Sequence, residues 1–467
     1  MVTIQDTELK EGIHEAIQKA HKLSTPVLVS EVQKIHQMEP LSFFRAGKES
    51  FFGERFFWKD PSDNIFLVGL GICKQIQTDQ DSGRFFHVEK EWKRFTENGL
   101  IFNKYKEAAT GPIMFGGFSF DPQKTKTDLW SKYSDTLFHI PKYLLTVINN
   151  ETYLTTNVIC TQHDNESLVE RIVNERLSLL SFIGKPNFSE NTLEKKLEIN
   201  PEEWKQSVTE LVQDLKTGSL KKAVLARELR LVFKDTLSIE TIVFNLLKEQ
   251  PRSFIFAFES NGDCFVGASP ERLVKKEGED LFSTCLAGSI ARGDTDNLDE
   301  ELGNQLLTDE KNLSEHQFVV DMIKEAMEQV CTEVHLPERP ALMKMRDIQH
   351  LYTPVIGKGS KSSSLLQLVN LLHPTPALGG LPKKEAVEKI REVEELDRGF
   401  YASPLGWMDY EGNGEFIVAI RSGLIQGREA SLFAGCGVVA DSNAESEYQE
   451  TNIKFRPMLS ALGGMDK

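Results

Sequence analysis

Lys222 begins an apolar run, 223–226, that predicts a buried strand. A lysine at the entry of such a strand loses solvation, which lowers the pKa of its ammonium group toward neutrality and makes the amine a usable general base. One buried lysine is weak evidence for catalysis. Its function must be judged from the chemistry of the residues that fold around it.

Two other charged side chains stand at the ends of apolar segments. Glu271 follows Pro270 after a predicted strand, so its carboxyl group could be fixed in one direction, as a general acid requires. A solvated glutamate on a surface turn is the alternative. Arg421 ends the apolar run 416–420 and needs an anionic partner, which is either a protein carboxylate or a substrate carboxylate.

Three glutamates could form an oxygen-rich site for a hard cation. Glu447, Glu450 and Lys454 are spaced i, i+3 and i+7 in a predicted helix and share one face. Glu315 precedes His316 at the start of another predicted helix. One or two carboxylates with water and substrate oxygens are typical ligands of Mg²⁺. The alternative is a solvated helix face, with Glu315 favourable to the helix dipole.

The remaining polar signals are weaker when taken alone. His350 and His373 each fit a core histidine with a satisfied hydrogen bond. Glycines at 435 and 437, inside a predicted strand, would let a ligand approach the backbone. The sequence contains no H-E-x-x-H zinc-binding motif and no Ser-His-Asp or Cys-His signature of a catalytic nucleophile.

The elements that must position these residues alternate between strand and helix patterns. Several neighbouring strands could pair as hairpins, which predicts an α+β fold with a mostly antiparallel sheet and helices outside. A polar segment, 184–199, suggests a division into an N-terminal half, 1–195, and a catalytic region, 196–467. The predicted strands are 26–30, 64–70, 112–118, 143–148, 222–233, 253–259, 263–268, 281–287, 416–424 and 431–439. The predicted helices are 1–22, 165–183, 201–217, 239–249, 314–332, 365–372, 384–394 and 443–460.

Composition narrows the class of protein. The 467 residues carry a net charge of −16, which argues against nucleic acid or an anionic membrane as the main partner. The 29 Phe predict an aromatic-rich interior between packed sheets. Six scattered cysteines and the lack of a long apolar run are typical of a cytoplasmic protein without disulfides or membrane spans.

Taken together and in order, these motifs resemble the chorismate-utilising enzymes: isochorismate and salicylate synthases, and the chorismate-binding components of anthranilate and aminodeoxychorismate synthases. The resemblance is strong over about 200–460. It is weaker in the N-terminal half, where 116–120 (Gly-Gly-Phe-Ser-Phe) is the most suggestive piece. It implies one large fold of two packed, mostly antiparallel sheets flanked by helices, with chorismate as substrate and Mg²⁺ as cofactor.

The resemblance also assigns the glutamates. Glu315 and Glu450 would be direct Mg²⁺ ligands, and Glu447 would hold water on the metal. Asn312 stands where an acidic residue is common. Its amide oxygen can still accept a hydrogen bond from water bound to the metal, but it brings no negative charge. The property that this difference would change is the affinity for Mg²⁺.

Six residues would bind the substrate. Arg421 and Tyr401 would hold the enolpyruvyl carboxylate. The ring and its carboxylate would be contacted by Ser289, His350, Gly437 and Lys454. Ser289 replaces a usual threonine and keeps the hydroxyl, and Ser403 replaces a common glycine.

The residue at 222 separates the reactions of the family. Ammonia-using relatives usually have glutamine there, and aminodeoxychorismate synthases use a lysine where this chain has Ala287. Lys222 is the pattern of water-using members, with Lys222 as base and Glu271 as acid. We therefore expect an isochorismate synthase, an isomerase that feeds menaquinone or siderophore biosynthesis and works without a glutaminase subunit, as a monomer or homodimer. Salicylate synthase is the alternative, followed by an ammonia-using synthase and a non-catalytic chorismate-binding protein.

Overall fold

The computed structural model describes residues 7–182, 191–360 and 362–464. Within these ranges the chain forms eleven α-helices. They are α1 (Thr7–Leu23), α2 (Pro40–Ala46), α3 (Arg84–Glu97), α4 (Ser167–Leu180), α5 (Pro201–Thr217), α6 (Ile239–Glu249), α7 (Asp296–Thr308), α8 (Glu310–Glu328), α9 (Leu365–Leu372), α10 (Lys383–Val393) and α11 (Ala444–Leu462).

The same ranges contain 22 strands. They are β1 (Val27–Ile35), β2 (Arg55–Lys59), β3 (Ile65–Thr78), β4 (Leu100–Phe102), β5 (Ile113–Phe118), β6 (Thr136–Ile148), β7 (Glu151–Cys160), β8 (Leu193–Glu198), β9 (Lys222–Phe233), β10 (Phe254–Ser260), β11 (Asp263–Ser269), β12 (Arg272–Glu277), β13 (Asp280–Cys285), β14 (Ser289–Ala291), β15 (Glu333–His335), β16 (Ala341–Lys344), β17 (Ile348–Lys358), β18 (Gly380–Leu381), β19 (Pro404–Asp409), β20 (Gly414–Val418), β21 (Ser422–Gln426) and β22 (Glu429–Val438).

The strands form two layers that share the long antiparallel pair β3–β6. The first layer runs β4-β1-β7-β6-β3-β2-β10-β11-β21-β22-β9-β8. The second continues from β6 through β5-β19-β20-β12-β13-β17-β15. Among the described pairs only β1–β4 is parallel. Strands of the N-terminal half therefore pair directly with strands of the C-terminal half, as in β2–β10 and β5–β19.

Aromatic side chains fill the space between the two layers. Phe56 of β2 stacks on Phe115 of β5 with ring centroids 4.3 Å apart, although these strands are not paired. Phe258 of β10 meets the same Phe115 ring edge-on at 5.5 Å. Burial of such large rings from both layers removes much apolar surface from water and stabilises the interior. The predicted aromatic interior between packed sheets is confirmed.

Helices cover the outer faces of the layers. A second group of buried apolar residues joins the outer face of the first layer to α1, α2, α4, α6 and α11. Helices α8 and α9 pack against strands of the second layer, and α5 and α10 lie against β9. None of the helices in the described ranges is long and apolar enough to span a bilayer.

The fold class is confirmed, but two predicted segments are wrong. Residues 416–424 do not form one strand, because β20 belongs to the second layer and β21 to the first. The polar segment 184–199 contains β8, which pairs with β9, while 183–190 lie outside the described residues. The division of the chain at 195/196 stays a prediction.

Candidate active site

All eleven predicted site residues line one cavity of about 280 Å³ at an end of the two layers. They are Lys222, Glu271, Ser289, Glu315, His350, Tyr401, Arg421, Gly437, Glu447, Glu450 and Lys454. A larger cavity of about 420 Å³ lies beside β9 and is lined by none of them. We place the site in the smaller cavity because the acid, base and charged groups converge there.

Glu271 and Arg421 occupy the two places where the chain passes between the layers. Glu271 lies between β11 of the first layer and β12 of the second, and Arg421 between β20 of the second layer and β21 of the first. The two crossings are joined by the Ala268 amide, which donates to the Arg421 carbonyl at 3.1 Å, and the Val418 amide, which donates to the Glu271 carbonyl at 3.1 Å. Arg421 has a φ of +54°, an unfavourable conformation for a non-glycine residue that this framework imposes.

The predicted base lies at the first residue of β9. Lys222 is only 7% exposed, and its ammonium group forms an ion pair with Glu315 of α8. Gly437, on the neighbouring strand β22, makes room for it, because a Cβ there would lie 2.6 Å from Lys222 Cε and 3.1 Å from Nζ. The space beside Gly437 is thus taken by a side chain of the protein, and the approach of a ligand to this glycine stays a prediction.

This contact gives a testable consequence. Gly437→Ala is expected to displace the end of the Lys222 side chain, since the lysine tip is flexible and the strand backbone is not. Because a misplaced catalytic group can cost on the order of 100-fold in rate, we expect kcat to fall by about 10- to 100-fold. Thermal unfolding and steady-state kinetics would be measured together. A large loss of stability with unchanged kcat would contradict this account.

The predicted acid is buried at the cavity wall. Glu271 is 5% exposed, and burial raises the pKa of its carboxyl group to about 8, although the charges of Arg421, Lys222 and Lys454 oppose the shift. A carboxyl group with this pKa keeps its proton at neutral pH, as a general acid must.

His350 and Ser289 form a polar pair on the wall of the cavity. The Ser289 hydroxyl and His350 Nδ1 are 2.8 Å apart. Burial lowers the pKa of His350 to about 3, and the charges of Arg421 and Lys454 act in the same direction, so the imidazole is neutral. Its Nε2 atom is buried without a hydrogen-bond partner among the described residues. A neutral ring with one free nitrogen is suited to bind a substrate hydroxyl.

Arg421 and Tyr401 form the cationic end of the cavity. Among the described residues, no carboxylate pairs with the Arg421 guanidinium, and burial lowers the pKa of that group. Burial raises the pKa of Tyr401 to about 12, so its phenol stays protonated and can donate a hydrogen bond. An anionic substrate group would complete this arrangement. The neighbouring Ser403, which replaces a common glycine, is accommodated because its hydroxyl donates to the Phe400 carbonyl at 2.7 Å.

Carboxylates gather at another wall of the cavity. Glu447 and Glu450 come from α11, where Lys454 pairs with Glu450 at 2.5 Å and also donates to the Gly435 carbonyl at 2.9 Å. The charge of Lys454 lowers the pKa of Glu450, whereas burial raises the pKa of Glu447. Glu315 faces the same cavity from α8.

These donors suit a hard divalent cation without forming a closed cage. In the described ranges no three His, Cys, Asp or Glu side chains are gathered as a preformed metal site. Mg²⁺ commonly takes only one or two carboxylates and completes its coordination with water and substrate oxygens. Glu315 and Glu450 each pair with a lysine in this structure, and both line the cavity.

Supporting residues anchor the first turns of α8. His316 is buried, its Nδ1 lies 2.9 Å from the Ala287 carbonyl and its Nε2 lies 2.7 Å from the Thr353 hydroxyl. These contacts fix the helix that presents Glu315 to the cavity. Asn312, one turn earlier, donates its side-chain amide to Asp309 at 2.8 Å and also lines the cavity.

Some lining residues were not predicted from the sequence. Val224, Leu378 and Ile420 supply apolar walls, and Lys311 adds a cation at the side of α8. Their spacing and type are those of ordinary core or surface residues, so no local signal distinguishes them. His373 was interpreted as a core histidine, and its Nε2 lies 2.9 Å from the Phe120 carbonyl, outside this cavity.

The cavity thus combines a buried lysine, a protonated carboxyl group, a cationic end and clustered carboxylates. Such a site is that of an acid–base enzyme acting on a small anionic substrate. A family model described as "Chorismate binding enzyme" matches residues 15–463. The chain belongs to this family of chorismate-binding enzymes.

Relatives extend over the whole chain. It is 43% identical to isochorismate synthase MenF of Bacillus subtilis, over 99% of both chains. It is 33% identical to the salicylate biosynthesis isochorismate synthase of Pseudomonas aeruginosa, over 98% of this chain and 96% of that protein. The fold matches the menaquinone-specific isochorismate synthase MenF of Escherichia coli with a TM-score of 0.79 and 21% identity, covering 97% of this chain and all of the other.

Proposed function

We propose that this protein is an isochorismate synthase that converts chorismate to isochorismate with Mg²⁺ as cofactor. The observation that carries the proposal is the convergence of Lys222 and Glu271 in one cavity with the cationic and carboxylate walls described above. Relatives that span the full chain and carry the name isochorismate synthase support it. The product would feed menaquinone or siderophore biosynthesis.

In the proposed reaction, water adds to C2 of chorismate and the C4 hydroxyl leaves. Lys222 would take a proton from the attacking water after its ammonium group has left the ion pair with Glu315 and given up its own proton. Glu271, which is protonated at neutral pH, gives its proton to the departing hydroxyl so that it leaves as water. One water is consumed and one released, so chorismate and isochorismate are isomers.

The chain's own residues would orient the substrate for this exchange. Arg421 and Tyr401 would bind the enolpyruvyl carboxylate, because the guanidinium pairs with no carboxylate in the part of the chain that the structure describes, and the phenol is a donor. Ser289, His350, Gly437 and Lys454 would contact the ring and its carboxylate. Holding both carboxylates fixes C2 and C4 relative to base and acid, which contributes to the rate through orientation.

Mg²⁺ would be held by Glu315 and Glu450, with Glu447 supporting the coordinated water. When bound, the cation supplies positive charge that neutralises the ring carboxylate and withdraws electron density from the ring. In this structure Glu315 pairs with Lys222 and Glu450 with Lys454, so Mg²⁺ would have to share these carboxylates with the ammonium groups or displace them.

The assignment of the cation is tested through Glu450. Glu450→Gln is expected to raise the Mg²⁺ concentration needed for half-maximal activity by at least about 10- to 100-fold, because loss of even an indirect partner of a metal ligand typically costs that much. Isothermal titration with Mg²⁺ alone gives a second measurement. Glu445→Gln is the matched control, because this residue lies on the same helix, is exposed and pairs with Lys205. A titration of Glu450→Gln that coincides with that of the parent would remove Glu450 as a ligand.

A product assay tests the reaction itself. Purified protein with chorismate and Mg²⁺ is expected to accumulate isochorismate, identified by chromatography and mass. Fluorescent salicylate with pyruvate would instead indicate a salicylate synthase. Anthranilate or aminodeoxychorismate formed with ammonium would indicate an ammonia-using synthase, and binding without turnover would indicate a non-catalytic protein.

We further propose that the enzyme works in the cytoplasm as a monomer or homodimer without a glutaminase subunit.

A further inference from the structure

The strand that carries Lys222 has an incompletely paired edge. On the side away from β22, β18 pairs with residues 222–223 and β8 with 229–233. Between these two short strands lies the cavity of about 420 Å³, which Leu225 and Ala226 line. No described strand supplies hydrogen bonds there, and an unpaired edge is free to fray unless other groups cover it.

Side chains take the place of a strand along this gap. Glu394 accepts a hydrogen bond from the Ala226 amide at 2.7 Å. Arg398 Nη2 donates to the Val224 carbonyl at 2.6 Å, and Trp204 Nε1 donates to the Ala226 carbonyl at 3.1 Å. The Val224 amide donates to the Gly379 carbonyl at 2.9 Å. On the edge away from β22, the backbone of β9 just after Lys222 is therefore held mainly by side chains, whereas the opposite edge pairs with β22.

Arg398 and Glu394 act as one unit. They form a two-point ion pair, with Arg398 Nε and Nη2 at 2.6 Å and 2.7 Å from the two Glu394 oxygens, and both are at most 5% exposed. Arg398 Nη1 also donates to the Leu378 carbonyl at 3.1 Å. Val224 and Leu378 both line the active-site cavity, so one planar guanidinium connects two of its walls.

We propose that Arg398 and Glu394 are positioning residues that hold β9 in the register and direction that aim Lys222 at the substrate. Neither residue lines the active-site cavity, so they act through the strand. The inference rests on the proposed role of Lys222 as the base. A displacement of the base by about 1 Å can cost on the order of 100-fold in rate, so a loosened strand would reduce turnover before it reduces binding.

The first test is Arg398→Lys. Lysine keeps the positive charge beside Glu394, but a single ammonium cannot reproduce the fork that reaches Glu394, Val224 and Leu378 together. We expect kcat to fall by about 10- to 100-fold with KM changed less than about threefold. Amide hydrogen exchange should accelerate at Val224 and Ala226 but not at residues 229–233, which are paired on both edges.

A matched control separates positioning from general loss of stability. Glu259 forms a buried ion pair with Arg55 in the first layer, at 2.6 Å, and does not line the cavity. Glu259→Gln should lower the melting temperature while leaving kcat and the exchange of β9 unchanged.

If Arg398→Lys does not fold, Glu394→Gln serves in its place, because it keeps an acceptor for Ala226 but loses the charge facing Arg398. Its kcat should fall several-fold, with faster exchange at Ala226.

These measurements distinguish a failure of the positioning role of Arg398 and Glu394 from a failure of Lys222 as the base. Unchanged exchange at Ala226, or faster exchange with kcat within about twofold of the parent, would overturn the positioning role. Near-normal turnover by Lys222→Ala would instead overturn the base assignment, whatever the exchange data show. A rise in KM alone would also count against positioning of the base.

Discussion

Glu271→Gln is expected to lower the turnover of chorismate by about 10²- to 10⁴-fold, the usual contribution of a general acid. Glutamine has nearly the same shape and leaves the crossing between the layers intact, since the Glu271 backbone makes the contact with Val418. It cannot deliver a proton to the departing hydroxyl. Steady-state kinetics with thermal unfolding would check the result, and Glu277→Gln, an exposed glutamate on the following strand, is the control.

The pH dependence should identify the same group. Burial raises the pKa of Glu271 to about 8, so at pH 7 the protonated form exceeds the ionised form by about tenfold. As pH rises through 8 the carboxyl group loses its proton, so kcat/KM of the parent should decline above about pH 8. The residual activity of Glu271→Gln should lack that decline. A parent profile that stays level to pH 10 would contradict the acid assignment.

Strong local patterns predicted many elements. The segment 222–233 is strand β9 as predicted, and 239–249 and 365–372 match α6 and α9. The two helices begin after the capping residues Ser238 and Ser364, and β9 is a strand that is buried along nearly its whole length. Local pattern singles out Lys222, Glu271 and Arg421, whereas resemblance to a family assigns the roles of the site residues. The structure brings all eleven to one cavity.

The failure at 416–424 has a physical cause. β20 and β21 are both buried, so burial gives no sign that they belong to different layers. The break in the apolar run is Arg421 with the Ser422 and Gly423 that follow it, a local turn signal that the predicted strand passes over. The change of layer needs a sharp turn, and Arg421 makes it with a positive φ that a glycine would adopt more easily. The residue that breaks the local rule is also the one proposed to bind the substrate carboxylate.

The sequence also gave no indication of the Arg398–Glu394 unit. The Arg398 backbone forms part of a tight turn, in which the Tyr401 amide donates to the Arg398 carbonyl at 2.8 Å. Its side chain, however, reaches residues 174 and 20 positions away in the chain. Contacts of this kind depend on the assembled layers and leave no spacing that a single sequence can reveal.

Lys222→Ala is expected to reduce turnover by about 10²- to 10⁴-fold, because the attacking water would lose its base. The structure adds a second expectation. The Lys222 ammonium pairs with Glu315, so its removal leaves that carboxylate without its neutralising charge. Binding of Mg²⁺ to Lys222→Ala, measured by titration calorimetry without substrate, should therefore be unchanged or tighter than in the parent.

Lys222→Arg distinguishes a base from a counter-ion. Arginine keeps a positive charge for Glu315 but cannot be deprotonated in a protein, so it cannot accept a proton from water. If Lys222 served only to balance Glu315, Lys222→Arg should keep far more activity than Lys222→Ala, whereas a base role predicts that both are equally impaired. Lys221→Ala, the exposed neighbouring lysine, controls for changes at the strand entry. Lys222 already packs closely against Gly437, so the wider arginine side chain has little room there. Lys222→Met, which is uncharged and of similar length, therefore provides the second comparison, and its turnover should be as low as that of Lys222→Ala.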